Sequence, residues 1–397
     1  MFDIATSCLF FGVFLLLIAA TIAIFALRRY VDYGVDPAIL DTFRTRIRVW
    51  WLLFGFLTCV FVIGPLATTF FFFVLSWGVL REYITLTPKS PVDHQALFWI
   101  YIFFTPLQFI LVGINPEWFL AKTGVLPYQV FSVLLPGYVF LILPGFMAVS
   151  GDPKRFLERI AKLQLGLIIC VYALSYAPAL LTMDLPNGLT STTPTEEAPT
   201  SGVLNQGIEK TVLDSLSKIE TPFMEGSSDD PPEADSSETF VAKKEKSNGT
   251  TPPIIPTVSG RHFRLLFFFV IVVQFGDIFQ YLWSQISRRH VVAENINATR
   301  TWEGVLGGAV TTALLGVALW YFTPFPKWWQ AGLIALVSSL MGFAGNMTMS
   351  AIKRDRGVED YGTLIEGHGG ILDRLDSLCF AAPVFYHSTW LCLHFGH

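Results

Sequence analysis

The feature that most constrains the fold of this chain is a series of apolar runs, each long enough to cross a lipid bilayer. A helix needs roughly 20 apolar residues to span the hydrocarbon core, where its backbone must satisfy its own hydrogen bonds. Runs of this kind lie at 6–27, 49–66, 67–86, 96–114, 130–150, 164–183, 262–286, 304–325, 328–352 and 378–395. The sequence therefore predicts an all-α fold, a polytopic transmembrane helical bundle of about ten helices.

The composition supports this prediction. Hydrophobic residues make up 52% of the chain, with 36 Phe, which excludes an ordinary soluble protein. The first apolar run follows Met1, Phe2 and Asp3, with no basic region before it and no cleavage site. We therefore expect a retained helix and not a signal peptide.

The basic residues of the short connections between helices predict how the protein is oriented in the membrane. They follow the first, fifth, seventh and ninth runs, at Arg28, Arg29, Arg44, Arg46 and Arg48, at Lys154, Arg155, Arg159 and Lys162, at Arg288, Arg289 and Arg300, and at Lys353, Arg354, Arg356 and Arg374. Alternating helices place all four connections on one side, which the positive-inside rule makes cytoplasmic. We expect a multi-pass protein of a bacterial plasma membrane with both termini outside.

One polar segment interrupts the series. Residues 184–260 are rich in Thr, Ser, Pro, Asp and Glu, which predicts a largely disordered acidic insert outside the cytoplasm, with one short amphipathic helix at 203–219. The insert divides an N-terminal bundle of about six helices, 1–183, from a C-terminal bundle of about four, 261–397. Nearly all candidate chemistry lies in the second bundle.

Charged residues and glycines concentrate between the last two runs, at 350–376. Ser350, Lys353 and Arg354 share one helical face, and Asp373 and Asp376 share a face of the next helix. Carboxylates suit a hard divalent cation and the cations suit phosphate oxygens, so the segment indicates metal-assisted phosphoryl or nucleotidyl transfer. The Gly-His-Gly-Gly turn at 367–370 can expose N–H groups to an anion.

This segment resembles the signature of the phosphatidate cytidylyltransferases, also called CDP-diacylglycerol synthases. The matching positions are Ser350, Lys353, Arg354, Asp360, Gly362, Ile365, His368, Gly369, Gly370, Asp373, Arg374 and Asp376. Glu359 replaces a family lysine, and Glu366 replaces a proline or glycine. These two departures bear on the activity or the substrate more than on membership of the family. A weaker likeness to the family lies in the N-terminal half, at Arg81, Glu82 and Tyr83. We expect this half of the chain to have a packing role.

Two further places resemble the family. Asp277 lies inside the seventh run, where an isolated carboxylate costs about 2.5–3.5 kcal/mol, so it should face the bundle interior and meet a cation. The family has an aspartate there that helps hold a divalent metal; an interhelical salt bridge is the alternative. Residues 295–304 resemble a second motif through Thr301, Glu303 and Gly304, with Arg300 as the preceding cation. Arg300 as a membrane anchor is the alternative to phosphate binding.

The resemblance implies that CTP reacts with phosphatidic acid, giving CDP-diacylglycerol and pyrophosphate, with Mg²⁺ and room for a second cation. It assigns catalysis to Asp277, Lys353, Arg354, His368, Asp373 and Asp376, substrate binding to Arg300, Thr301, Ser350, Gly369, Gly370 and Arg374, and the metal to Asp277, Asp360, Asp373 and Asp376. Membrane lipids are the expected surroundings, nucleic acid is not an expected partner, and a homodimer stays open.

Other functions fit the same pattern. One is a CTP-dependent polyprenol or phytol kinase, and another is a cytidylyltransferase for a different lipid phosphate. A non-catalytic lipid-binding paralogue is a third, because Glu359 places negative charge where the family has a lysine. A transporter is disfavoured, since the polar residues gather in connections and not at midplane breaks in paired half-helices.

Overall fold

The computed structural model describes residues 4–28, 44, 47, 51, 54–86, 93–149, 153–185, 253–256, 258–358, 360–362 and 370–395. The N-terminal helices are α1 (Ile4–Arg28), α2 (Phe54–Ile63), α3 (Pro65–Thr85), α4 (Asp93–Trp99), α5 (Thr105–Gly113), α6 (Pro116–Thr123), α7 (Pro127–Val133), α8 (Phe140–Val149), α9 (Phe156–Gly166) and α10 (Leu174–Ala179). Short π-helical stretches at Ile100–Phe104, Leu134–Val139 and Leu167–Ala173 join α4 to α5, α7 to α8 and α9 to α10.

The C-terminal part contains four long helices and one small hairpin. The helices are α11 (Gly260–Ile286), α13 (Trp302–Ala318), α14 (Trp328–Arg356) and α15 (Leu372–Phe395), with a 3₁₀ turn at Trp320–Phe322. The hairpin pairs β1 (Val291–Ala293) with β2 (Ala298–Thr301) in antiparallel register, Val291 opposite Thr301, around the short α12 (Glu294–Asn297).

The predicted all-α bundle is confirmed, because each predicted apolar run coincides with a described helix. Six of the described helical segments are long and apolar enough to cross a membrane: Thr6–Ala26, His94–Gly113, Pro127–Val149, Phe156–Ala179, Gly260–Ile286 and Trp328–Arg356. The eighth run is shorter than expected, since α13 ends at Ala318 and a 3₁₀ turn follows. Residues 186–252 of the predicted insert, with the amphipathic helix expected at 203–219, lie outside the described residues.

The described residues all belong to one compact unit, 1–186 together with 251–397, and residues 187–250 lie outside the described part of the chain. In this unit α11 and α14 pack on each other and on both α13 and α15, and α3 and α10 pack on α15. Most of the buried side chains of α11 are apolar, and Leu265, Phe268 and Phe269 are almost fully buried. This packing places the polar ends of several helices beside the connection between α14 and α15.

Glycines allow close helix contacts in this bundle, as two examples show. A Cβ on Gly308 of α13 would lie 2.5 Å from the backbone nitrogen of Gln280 in α11. A Cβ on Gly345 of α14 would lie 2.8 Å from the Asp376 carbonyl oxygen in α15. Small residues at helix interfaces let backbones approach in this way. The glycines at 304–308 all meet α11 within the chain in this way.

The contact at Gly308 gives a stability prediction. Gly308→Ala should lower the free energy of unfolding by about 1–3 kcal/mol, because the new methyl group meets backbone that cannot move aside. Gly12→Ala is the control, since a Cβ there meets nothing within 4 Å, and removing a helix-interior glycine should raise stability by about 0.5–1 kcal/mol. Thermal unfolding in detergent measures both; equal effects would contradict the predicted packing.

Candidate active site

Two carboxylates lie side by side where α11 meets α15. The Ser377 hydroxyl is 2.5 Å from Asp277 Oδ2 and 3.2 Å from Asp376 Oδ1. Asp376 is 7% exposed and Ser377 is fully buried. The prediction that Asp277 faces the bundle interior agrees with this position.

The described contacts do not fully balance the negative charge of these two carboxylates. A serine hydroxyl has one hydrogen and so donates to only one of the two carboxylates at a time. The cation beside the pair is Arg300, whose Nη2 lies 3.8 Å from Asp277 Oδ1. Like charges this close raise the free energy of the ionised pair, and a bound cation would relieve it.

Arg300 reaches the pair from the hairpin. Its side chain is 4% exposed, and its Nη1 lies 3.5 Å from the Asp277 carbonyl oxygen. α14 holds the hairpin in place: Asn297 Nδ2 donates to Ser350 Oγ at 3.4 Å, and Arg354 Nε donates to the Ile296 carbonyl at 3.3 Å. Two predicted site residues, Ser350 and Arg354, therefore contact the hairpin that carries a third predicted site residue, Arg300.

Thr301 is fully engaged within the protein. Its hydroxyl accepts from the Gly304 N–H at 3.1 Å, as the N-cap of α13, and donates to the Ser287 carbonyl at 3.1 Å. Its backbone N–H donates to Ser284 Oγ at 3.3 Å. The residue is 1% exposed. Its contacts are those of a helix cap.

Asn346 adds an oxygen to the carboxylate pair. As a polar residue inside the ninth apolar run, Asn346 could bond across helices or approach a nucleotide. The structure shows its Nδ2 donating to Asp376 Oδ2 at 3.1 Å. Its Oδ1 is buried and has no hydrogen-bond partner in the described part of the chain. A buried amide oxygen without a partner is costly unless a ligand meets it.

Asp373 lies one helical turn before Asp376 and has other partners. Its Oδ1 accepts from Lys353 Nζ at 2.9 Å, and its Oδ2 accepts from the Tyr361 and Gly370 N–H groups at 3.0 Å each. Lys353 thus joins the end of α14 to the start of α15, and the Gly370 N–H points at the Asp373 carboxylate in the first turn of α15.

Tyr361 holds the connection between α14 and α15 against α14. It is 2% exposed, and its hydroxyl donates to the Met349 carbonyl at 2.8 Å. Burial raises the pKa of Tyr361 well above its usual range, so the hydroxyl stays a neutral donor. The Lys353 Nζ lies 5.8 Å from the ring centroid, within reach of a cation–π contact.

The remaining predicted residues divide into two groups. Asp360 is exposed, and Arg374 follows Asp373 on α15, its carbonyl accepting from Gln274 Nε2 at 3.4 Å. His368, Gly369, Glu359 and Glu366 lie outside the described residues. Their predicted roles stay predictions.

The residues present suit a magnesium ion. Within the described ranges no group of three or more His, Cys, Asp or Glu side chains gathers to hold a metal. Mg²⁺ is nevertheless commonly bound by one or two carboxylates together with substrate phosphates. Asp277 and Asp376 provide two carboxylates, and the unpartnered Asn346 Oδ1 is a third hard oxygen beside them.

The sequence did not single out Ser377, and it left Asn346 undecided. Ser377 follows Asp376 directly, and its link to Asp277 joins residues 100 positions apart, so no local pattern reveals it. Asn346 lies one turn before Ser350, and a polar residue inside an apolar run was the signal available.

The fold and the site define a class: a multi-helix membrane protein whose polar connections bring carboxylates and cations together, as phosphate-group chemistry requires. The chain belongs to the cytidylyltransferase family, whose family model matches residues 44–392. The resemblance found in the 350–376 segment is confirmed at this level. Membership supports a nucleotidyltransferase.

Individual relatives are similar over different lengths. An uncharacterized protein, YnbB of Escherichia coli (strain K12), is 28% identical over 384 residues, 96% of this chain and 97% of its own. A phosphatidate cytidylyltransferase of Synechocystis is 42% identical over 100 residues, 25% of this chain and 34% of its own length. One of Staphylococcus haemolyticus is 32% identical over 126 residues, 32% of this chain and 48% of its own. The chain thus matches less than half the length of these two named enzymes.

The pairing of Lys353 with Asp373 gives a second stability prediction. Lys353→Met should lower the free energy of unfolding by about 1.5–3 kcal/mol, because it removes a charged hydrogen bond from a carboxylate that is mostly buried. Lys353→Met combined with Asp373→Asn should cost less than the sum of the two single changes. Thermal unfolding in detergent measures the cycle.

Lys162→Met is the matched control, since Lys162 pairs with Glu158, a carboxylate that is exposed. We expect it to change stability by less than about 0.5 kcal/mol. Additive effects of the Lys353 and Asp373 variants would contradict the ion pair.

Proposed function

We propose that the protein transfers a cytidylyl group from CTP to phosphatidic acid, with Mg²⁺, at the cytoplasmic face of a bacterial plasma membrane. An oxygen of the lipid phosphate attacks the α-phosphorus of CTP, the bond to the β-phosphate breaks, and pyrophosphate leaves. The lipid phosphate is already ionised at neutral pH, so no strong base is required. The protein must instead bring two polyanions together.

The observation that carries the proposal is the buried Asp277–Ser377–Asp376 arrangement with Arg300 beside it. A bound Mg²⁺ would shield the charge of the nucleotide phosphates and polarise the α-phosphate. Asp277, Asp376 and the Asn346 oxygen are the residues that would hold it. The basic residues that border the pair supply the second half of the charge balance.

The chain's own residues have separate tasks in this proposal. Lys353 exchanges Asp373 for a substrate phosphate, which leaves an Asp373 oxygen available as a further ligand. Arg300 remains close to Asp277 and binds the nucleotide phosphates from the hairpin side. Ser350 and Arg354 hold the hairpin where Arg300 can do so.

Product analysis tests the proposed reaction. Purified protein in detergent is incubated with Mg²⁺, phosphatidic acid and CTP labelled in the cytidine. We expect the label to enter the lipid fraction, with pyrophosphate released in equal amount. Phosphorylation of an added prenol or phytol with release of CDP would instead show a kinase. No turnover with either lipid class would favour a non-catalytic paralogue.

Variants of the carboxylate pair test which residues carry the reaction. Asp277→Asn should lower turnover by more than the roughly 10- to 100-fold that is typical of outer-shell partners of a metal. Asp355→Asn is the control, because Asp355 is 69% exposed and pairs with Arg356 at 3.2 Å. Unchanged activity of Asp277→Asn in a folded protein would remove Asp277 from the site.

A further inference from the structure

We infer that Glu82, on α3 of the N-terminal half, is a positioning residue for the helix that carries Asp373 and Asp376. This inference rests on the proposed function and deepens it. Glu82 lies in the last turn of α3 and is 4% exposed. A carboxylate this buried needs partners that justify the loss of its hydration.

Its partners are backbone groups at the start of α15. Glu82 Oε1 accepts from the Ile371 N–H at 3.0 Å, and Oε2 accepts from the Leu372 N–H at 2.8 Å. The first N–H groups of a helix have no partner within it, and a negative charge there also interacts favourably with the helix dipole. Glu82 therefore supplies an N-terminal cap from a distant helix.

The same carboxylate contacts both described ends of the connection between 362 and 370. A Cβ on Gly370 would lie 2.4 Å from Glu82 Oε2, and a Cβ on Gly362 would lie 3.0 Å from Oε1. A Cβ at either position would press on the carboxylate and displace it, so glycine suits both positions. Glu82 therefore packs against the backbone of Gly362 as well as that of Gly370.

The effect reaches the site through a short series of contacts. The Gly370 N–H donates to Asp373 Oδ2 at 3.0 Å, and Asp373 precedes Asp376 by one helical turn. A shift of Gly370 or of the first turn of α15 would therefore move both aspartates relative to Asp277. The N-terminal half therefore does more than pack: through Glu82 it positions the helix that carries Asp373 and Asp376.

Glu82→Gln tests this role. The glutamine keeps the size of the side chain, but its NH₂ group must face one of the two N–H donors, and the charge is lost. We expect turnover to fall about 10- to 100-fold and the Mg²⁺ concentration for half-maximal activity to rise, as for other outer-shell partners. Amide hydrogen exchange at Ile371 and Leu372 should accelerate. Glu82→Asp, which keeps the charge on a shorter side chain, should recover part of the activity.

Ser76→Ala is the matched control on the same helix. Ser76 is also fully buried, and its hydroxyl donates to the Cys170 carbonyl at 2.7 Å and not to α15. We expect it to lower thermal stability without changing the Mg²⁺ requirement or the exchange at Ile371 and Leu372. It thus separates a lost buried hydrogen bond from a displaced site.

Two results would overturn the inference. One is a Glu82→Gln protein that matches the wild type in Mg²⁺ requirement and in amide exchange. The other is a loss of activity that follows stability alone, as in Ser76→Ala, with the Mg²⁺ requirement unchanged. If the wild-type protein shows no cytidylyl transfer, the proposed function fails, and the exchange rates at Ile371 and Leu372 decide the role of Glu82 by themselves.

Discussion

The carboxylates of Asp277 and Asp376 lie together in the interior of a helical bundle, and the neighbouring structure is arranged around their charge. One serine hydroxyl is shared between them, and Arg300 is 3.8 Å from one oxygen. Close approach of α14 at Gly345 brings Asn346 to Asp376. A charge pair in such surroundings is costly, so it is expected where a ligand uses it.

The polar connections position the cations and the loop around this pair. The hairpin that carries Arg300 is held by the end of α14, through Ser350 and Arg354. The connection after α14 is held by Tyr361 and by Asp373, which pairs with Lys353. Residues that resemble substrate ligands in the sequence therefore also organise the segments between helices.

The fold could be predicted from the sequence because a spanning helix requires a long apolar run, and that requirement is local. The signature residues could be found because they lie within one short segment. The contacts of Ser377 with Asp277, and of Glu82 with Ile371, could not be found in this way. They join residues 100 and 289 positions apart, and only the packing of α3, α11 and α15 brings them together. The cap formed by Thr301 was missed because a motif threonine suits a phosphate equally well.

Binding of Mn²⁺, followed by electron paramagnetic resonance, tests the central claim most directly, since Mn²⁺ replaces Mg²⁺ at oxygen ligands. The claim is that Asp277 and Asp376 jointly hold a divalent cation. The purified protein should bind Mn²⁺ stoichiometrically, and Mg²⁺ should compete for the site. Changing both aspartates to asparagine should abolish binding in a protein that still folds. Equal binding by that variant, or no binding by the wild type, would contradict the account.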